Sequence, residues 1–319
     1  VLTADIDLNN EPWTPIANNA RTKRYSGTFD GKGHTIKNLY INDSSARDVG
    51  LFGYVCDGTI RNLTVSGSVK GTRYIGGIAS AAESGTFENC ANQCAVQGGI
   101  AGGIIGFASQ GNDLIVRDCY NVGSITTTTG NSVGGIIGQC NNRLETIRNC
   151  YNAGTVTGTA SVGAIVGNPG TEKIYNCYYL DGSVIRKGTG DTVSIPKTAT
   201  EFADGTVLAL LKAGERDNNA DPWAGECKYL AAAGKTLPVL EGQGDAHEHN
   251  GNWKSNGDGT HSRHCTCNAV ETQNCSGGKA TCKDKAVCEF CKASYGSPDP
   301  HNHTDLKHID AKAATAAEE

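Results

Sequence analysis

Several things are missing from this 319-residue sequence, and each absence removes a class of function. No apolar run approaches the roughly 20 residues that cross a bilayer as a helix, and no export signal opens the chain. Positive charge is not concentrated. Lys and Arg number 28 against 33 Asp and Glu, the formal net charge is −5, and both signs are dispersed. Binding nucleic acid by neutralising phosphates is therefore not expected. There is no HExxH, P-loop, dinucleotide fingerprint or Ser–His–Asp order. The apolar fraction, 38%, is below the globular average, while glycine is abundant at 42 residues. That balance suits many short strands joined by tight turns.

What is present is a repeat. Val133-Gly134-Gly135-Ile136-Ile137-Gly138 has counterparts at Val49–Gly53, Ile75–Ile78, Ala101–Gly106 and Val162–Gly167. The aligned glycines 50, 76, 102, 134 and 163 are 26, 26, 32 and 29 residues apart. Periods of this size mark a stacked, quasi-one-dimensional array. The second half of each repeat overlays as well: Asn62-Leu63, Asn89-Cys90, Asp118-Cys119 and Asn149-Cys150 begin equivalent stretches, with Asn38-Leu39 before them and Asn176-Cys177 after. Stacking at the strand spacing of about 4.8 Å predicts an inward column of Leu39, Leu63, Cys90, Cys119, Cys150 and Cys177. It also predicts a corner column of the preceding Asn and Asp residues, with amides bonding along the axis. The column cysteines read as small hydrophobes in a slot that Leu fills earlier. Pairing of Cys56, Cys94, Cys140 and Cys227 is left open.

Four regions are expected: a β-solenoid over 1–198, a cover over 199–241, a small Cys/His-rich module over 242–296, and a linker or further module over 297–319. The cover carries a helical stripe of Phe202, Val207, Leu208, Leu210 and Leu211, with a final strand at Leu237–Leu240, and is expected to hide the solenoid's end edges. Beyond Asp245 lie seven of the eight histidines and six cysteines, but almost no aliphatic periodicity. Such a segment needs staples or a metal.

Ser26-Gly-Thr-Phe-Asp-Gly-Lys-Gly-His-Thr-Ile-Lys-Asn-Leu39, Gly50-Leu-Phe-Gly53, Gly-Gly-Ile-Ile-Gly and Asn-Cys-Tyr-Asn together resemble the GLUG-motif repeats of large secreted and wall-anchored bacterial proteins. These occur also in non-catalytic regions of some streptococcal immunoglobulin-A metallopeptidases. The resemblance covers roughly residues 1–185 and implies a right-handed parallel β-helix. Residues 75–98 depart from it at Ala79 and Phe87, and a local irregularity is expected there. From Trp253 to Gly296 the chain is similar to Cys-rich repeats of surface proteins of gut Firmicutes. The resemblances imply an extracellular location, secreted or attached to a Gram-positive cell wall. The beginning and end of the sequence suggest a piece of a longer, multidomain chain.

Two groups of candidate site residues follow. Tyr120, Tyr151, Tyr178 and Tyr179 succeed the inner column in outward-leaning positions; such a row either binds sugar rings or protein, or is a structural stack. Cys288-x-x-Cys291 has zinc-knuckle spacing, and Cys265-x-Cys267 offers a second pair for a structural zinc site. His249, His261 or His264, with Cys275 and Cys282, are alternative ligands, and three disulfides compete with zinc. Catalysis finds less support. Asp30 falls in a glycine turn, Asp118 in the corner column, Asp5 and Asp7 on one strand face, and His34 reads as a surface or bridging residue. The functional expectation is a non-catalytic adhesive or stalk-like surface module that binds or presents glycan or host protein. A β-helix enzyme acting on polysaccharide and a ligand-free spacer are the alternatives.

Overall fold

The computed structural model describes residues 1–17, 23–43, 45–109, 113–127, 132–141, 146–170, 173–185, 190–214, 229–231, 236–240, 253–264 and 270–302. The chain divides into two units, Val1–Ala246 and His247–Glu319.

The first unit is a parallel β-helix of about six turns, as expected. Each turn contributes to three parallel faces. One carries Asp48–Val49, Tyr74–Gly76, Ile100–Gly102, Ser132–Gly134 and Ser161–Gly163. The next carries Phe52–Val55, Ala79–Ala82, Ile105–Ala108, Ile137–Cys140 and Val166–Asn168. The third is a longer sheet that bends around a corner. It includes Thr35–Asn42, Gly58–Lys70, Gly85–Gln97, Tyr120–Asn121, Tyr151–Asn152, Tyr178–Leu180 and Ile195–Lys197. The predicted glycine alignment is a true register, with Gly76 opposite Gly102, Gly102 opposite Gly134 and Gly134 opposite Gly163.

The inner column is buried as expected. Leu63, Cys90, Cys119 and Cys150 are fully enclosed, Cys177 nearly so, and all described cysteines are free thiols. Leu39 is buried too but stands outside this column: a register shift after Ile36 sets it opposite Gly67, not Leu63, and carries Asn38 away from Asn62 as well. Burial pushes the Cys94 and Cys119 thiols well above their ordinary range, so they pack as neutral small hydrophobes. The corner residues Asn38, Asn62, Asn89, Asp118, Asn149 and Asn176 all have φ between 50° and 59°. Asn and Asp tolerate this left-handed conformation better than other side chains, which explains the column more directly than amide stacking does. One axial amide bond is present in it, Asn176 Nδ2 donating to Asn149 Oδ1 at 2.7 Å.

A second amide ladder lies inside the core. Asn92 Nδ2 donates to Asn121 Oδ1, and Asn121 Nδ2 to Asn152 Oδ1, both at 2.7 Å, with all three residues fully buried. Each amide also bonds the carbonyl two residues on, that of Cys94, Gly123 or Gly154, so its polar atoms are satisfied without water. The second glycine of each Gly-Gly pair makes the room. A Cβ on Gly77 would lie 2.0 Å from Asn92 Oδ1, one on Gly103 2.8 Å from Asn121 Cγ, and one on Gly135 2.5 Å from Asn152 Cγ. The two motifs therefore depend on one another. Where Leu51 stands in register with Gly77, Val65 replaces the amide; where Ala164 stands in register with Gly135, Tyr179 does.

The irregularity expected at 75–98 is not found. Gly85–Gln97 is a continuous 13-residue strand, and Ala79 pairs in register with Phe52 and Ile105. The volume Ala79 gives up is filled from the same core by Phe52 and by Phe87, both fully buried.

The second unit is built from antiparallel pairs. Lys254–Ser255, Thr260–His264 and Val270–Asn274 form a three-stranded sheet, and Ala286–Val287 pairs with Ser294–Tyr295. Residues expected to begin a linker at 297 belong to this unit, since Asp299 N bonds Thr281 O and Cys282 N bonds Asn302 O.

Candidate functional site

The tyrosine row exists, but it is covered. Tyr120 pairs in register with Tyr151, and Tyr151 with Tyr178. The Tyr120 and Tyr151 rings are parallel, 5.0 Å apart between centroids. Over them lies the segment expected to close the end of the solenoid. It forms two helices, α1 (Ala199–Ala203) and α2 (Thr206–Gly214), and an antiparallel pair, Tyr229–Ala231 with Pro238–Leu240. A capping box between Thr198 and Glu201 starts α1, and Gly205 at φ 87° separates the helices. Phe202, Val207, Leu211, Tyr229 and Leu240 join Ala91, Tyr120, Tyr151 and Tyr178 in one apolar cluster. The Tyr151 hydroxyl donates to Pro238 O, and Tyr229 donates to Cys119 O at 2.9 Å.

The cover is thus on the flank, where its apolar stripe meets the outward row of Ala91, Tyr120, Tyr151 and Tyr178. At the C-terminal end of the long sheet, Ile195–Lys197 simply adds one more parallel strand to Tyr178–Leu180. Tyr120, Tyr151 and Tyr178 are at most 4% exposed, so the expected ligand row is occupied by the chain itself. Tyr179 is partly exposed and belongs to the next register position, opposite Asn152 rather than Tyr151.

An open groove of about 330 Å³ lies elsewhere on the long sheet, and the sequence reading did not single it out. Its lining includes Tyr40, Asn42, Ser68, Lys70, Gln97 and Ser124. Tyr40 is in register with Ser68, and Asn42 with Lys70, then Gln97, then Thr126. Asn42 Nδ2 donates to the Tyr40 hydroxyl at 3.1 Å. The two-residue alternation of polar positions in successive coils was the available signal.

Of the acidic residues considered for catalysis, Asp30, Asp5 and Asp7 bond across coils, and Glu88 and Asp191 do the same. Asp30, in the glycine turn, accepts from Asn62 Nδ2 at 2.9 Å, Arg61 Nε at 3.0 Å and Lys32 N at 2.9 Å. Burial opposes its charge, but these bonds and the Arg61 cation bring its pKa down to about 2. His34 bridges to Asp5 at 3.4 Å on the surface, beside the Lys37–Asp5 pair at 2.7 Å. Glu88 pairs with Arg117, and Asp191 accepts the backbone N–H groups of Ile165 and Val166 at 2.9 and 3.0 Å.

In the C-terminal unit, His261, Cys275, Cys288 and Cys291 bring one imidazole nitrogen and three sulfurs within 4.8 Å of one another. Cys275 Sγ is 3.8 Å from Cys291 Sγ, and Cys288 Sγ is 3.3 Å from His261 Nδ1. His261 sits within Thr260–His264, and Cys275 directly follows Val270–Asn274, tied by its N–H to Gly259 O at 2.8 Å. Cys288 and Cys291 flank a tight turn closed by Lys292 N to Cys288 O at 3.0 Å, with Lys292 at φ 60°. Glu289 N to Ser276 O, 3.0 Å, joins the two arms. Burial and the neighbouring sulfurs push the Cys275 thiol up to about 12. At Cys288 burial is outweighed by the N–H groups of Cys291, Phe290 and Ser276, which bring it down to about 6. The group can hold a metal ion. Of the four ligands expected from spacing, Cys288 and Cys291 are brought together here; Cys265 and Cys267 lie outside the described residues, as do His249 and Cys227. His261 and Cys275, alternatives in the sequence, complete the group.

The fold defines a β-helical repeat protein with a small Cys/His unit. No family model matches the chain. Halomucin of Haloquadratum walsbyi is 32% identical over 120 residues, 26% of this chain. A "Putative Gly-rich membrane protein" of Evansella cellulosilytica is 32% identical over 142 residues, 43% of the chain. The chain spans about 1% and 16% of the length of these two relatives. The crystal structure of a "putative immunoglobulin A1 protease" from Bacteroides ovatus superposes with a TM-score of 0.57 at 22% identity, over 76% of this chain and 85% of that one. At that identity the likeness is one of fold. Together with the fold, the structural likeness shows a β-helix module. Among the described residues, no helix is long and apolar enough to cross a membrane.

Proposed function

We propose that this chain is a non-catalytic module of a larger extracellular protein, secreted or attached to a cell wall, and of the GLUG-repeat type. Its β-helix presents an exposed, in-register polar face to glycan or host protein. The C-terminal unit is a structural element whose metal is zinc. The observation that carries the binding part is the groove on the long sheet, where one aromatic ring borders rows of hydroxyl and amide side chains. Tyr40 offers a ring for stacking on sugar, while Asn42, Ser68, Gln97 and Ser124 offer hydrogen bonds at the strand spacing. Lys70 is the charged residue among them and suits a carboxylate or sulfate on the sugar. Support for a non-catalytic role comes from Asp30, Glu88 and Asp191, each engaged between coils. The resemblance to a halomucin and to a Gly-rich protein described as a membrane protein supports the location.

A glycan array probed with the whole chain tests the reading, with Tyr40→Ala and Lys70→Ala as controls. Binding weakened at least tenfold by Tyr40→Ala is the expected result. Cleavage of a polysaccharide that single Asp or Glu substitutions abolish would replace this reading with the enzymatic one. Neither binding nor cleavage would leave the spacer.

A further inference from the structure

The C-terminal unit has almost nothing to fold around. Its buried residues, among those described, are His261, Ser262, Cys275 and Cys288. Of its larger apolar side chains, Val287 is 47% exposed and Phe290 49%, and Trp253 is only half-buried. A unit whose described interior consists of two thiols, an imidazole and a hydroxyl gains little from apolar burial toward ordering its backbone. Yet the four donor atoms converge from three separate backbone segments. Two of their separations can be compared with a coordination shell. Tetrahedral zinc with Zn–S bonds of about 2.3 Å places sulfurs about 3.8 Å apart, and an imidazole nitrogen about 3.5 Å from a sulfur. The Cys275–Cys291 sulfur pair is 3.8 Å apart and the Cys288–His261 sulfur–nitrogen pair 3.3 Å, with all four donors within 4.8 Å of one another.

We infer that His261, Cys275, Cys288 and Cys291 together bind one zinc ion in a closed Cys₃His site, and that this ion replaces a hydrophobic core in the C-terminal unit. The inference deepens the structural-metal part of the proposed function and is independent of its glycan part. Three thiolates select a soft or borderline ion, and three sulfurs with one nitrogen in a tetrahedral arrangement suit zinc. His261 ligates through Nδ1, the nitrogen facing Cys288 Sγ. Its ring is fixed by Trp253, edge-on at 4.4 Å, and by Phe290 at 5.5 Å. With all four positions taken by protein, no position stays open for substrate or water, so the site is structural. Binding displaces the thiol protons and couples folding of the unit to the metal. Cys282 is partly exposed and stands outside the group.

The test uses the whole chain, purified without chelator. The expected result is one zinc per chain by elemental analysis. Exchange with cobalt should give the intense visible bands of a tetrahedral thiolate site. His261→Ala, Cys275→Ser and Cys288→Ser should each lose zinc, whereas Cys282→Ser and the pair Cys265→Ser with Cys267→Ser should retain it. His261→Cys should keep the zinc and shift the cobalt spectrum, which separates loss of a ligand from failure to fold. Metal-free protein with Cys275, Cys288 and Cys291 in disulfides would overturn the inference. So would zinc that survives His261→Ala and Cys275→Ser but not loss of Cys265 and Cys267. Glycan binding by zinc-depleted chain would leave the function of the β-helix standing in either event.

Discussion

The two units of this chain meet the same requirement in opposite ways. In the β-helix, each turn is short of apolar residues by itself, but its neighbours bury it from above and below, and a continuous column from Ile36 to Cys177 results. In the C-terminal unit there is no neighbour of the same kind, and the buried side chains among the described residues are mostly ones that can hold a metal ion. Stacking lets a sequence of moderate hydrophobicity form a core, because each coil adds an interface as well as a turn. A unit of a few short hairpins has no such gain and needs a cross-link of another sort.

Removing the metal should break this comparison most sharply. With a strong chelator, the C-terminal unit is expected to lose its fold entirely, while the β-helix keeps its circular dichroism and melting temperature. Zinc in small domains contributes on the order of 10 kcal/mol, far more than such a unit holds otherwise. A chelator without effect on amide exchange in residues 253–302 would show that the two units are stabilised alike.

The next effect attacks the β-helix where backbones approach most closely. Gly135→Val places a side chain 2.2 Å from Ala164 O and 2.5 Å from Asn152 Cγ. A cost of at least about 3 kcal/mol is expected, because backbone and a hydrogen-bonded amide must both move. Urea denaturation should show this loss in the β-helix alone. Unchanged stability would count against the interdependence of Gly-Gly and the buried amides.

A smaller effect separates the units by pH. Asp30 has its pKa lowered to about 2 in the folded chain, so its contribution is complete above about pH 4 and is lost as pH falls through about 2. Asp30→Asn should cost the β-helix about 2 kcal/mol at neutral pH and flatten that acid dependence. The zinc unit should fail earlier on acidification, since its ligands must stay deprotonated. The smallest expected change is Tyr151→Phe, which removes the bond to Pro238 O and should cost about 1 kcal/mol. Its effect should show as faster proteolysis of residues 199–240, with little change in the β-helix.

Much of the β-helix was legible because its instructions are local and repeated. Cys90, Cys119 and Cys150 take the place of Leu63 at one phase, and Asn or Asp precedes each because the corner needs a left-handed residue. Leu39 looked like the first member of the same column, but a register shift moves it opposite Gly67. The amide ladder was less legible. Asn92, Asn121 and Asn152 look like surface residues at the end of Asn-Cys-Ala-Asn, Asp-Cys-Tyr-Asn and Asn-Cys-Tyr-Asn, and only the register shows that Gly77, Gly103 and Gly135 open a place for them inside. The tyrosine row was read in the right phase but not as a docking surface for the chain's own helices. Nothing in residues 199–240 states whether their apolar stripe meets the end of the solenoid or its flank.

The candidate metal group shows the same division. Cys288 and Cys291 could be paired from their spacing, because a turn of two intervening residues brings thiols together by itself. The identity of the other two donors depends on how Thr260–His264 and Val270–Asn274 pair, a non-local matter.

The sequence by itself determined the period, the parallel stacking and the inward column of this protein, because those follow from contacts between adjacent coils of nearly identical sequence. Tertiary structure alone decided that the tyrosines are covered, that amides are stored in the core and which donors converge on one point. Each of those outcomes joins segments that share no period, and nothing local specifies where such segments meet.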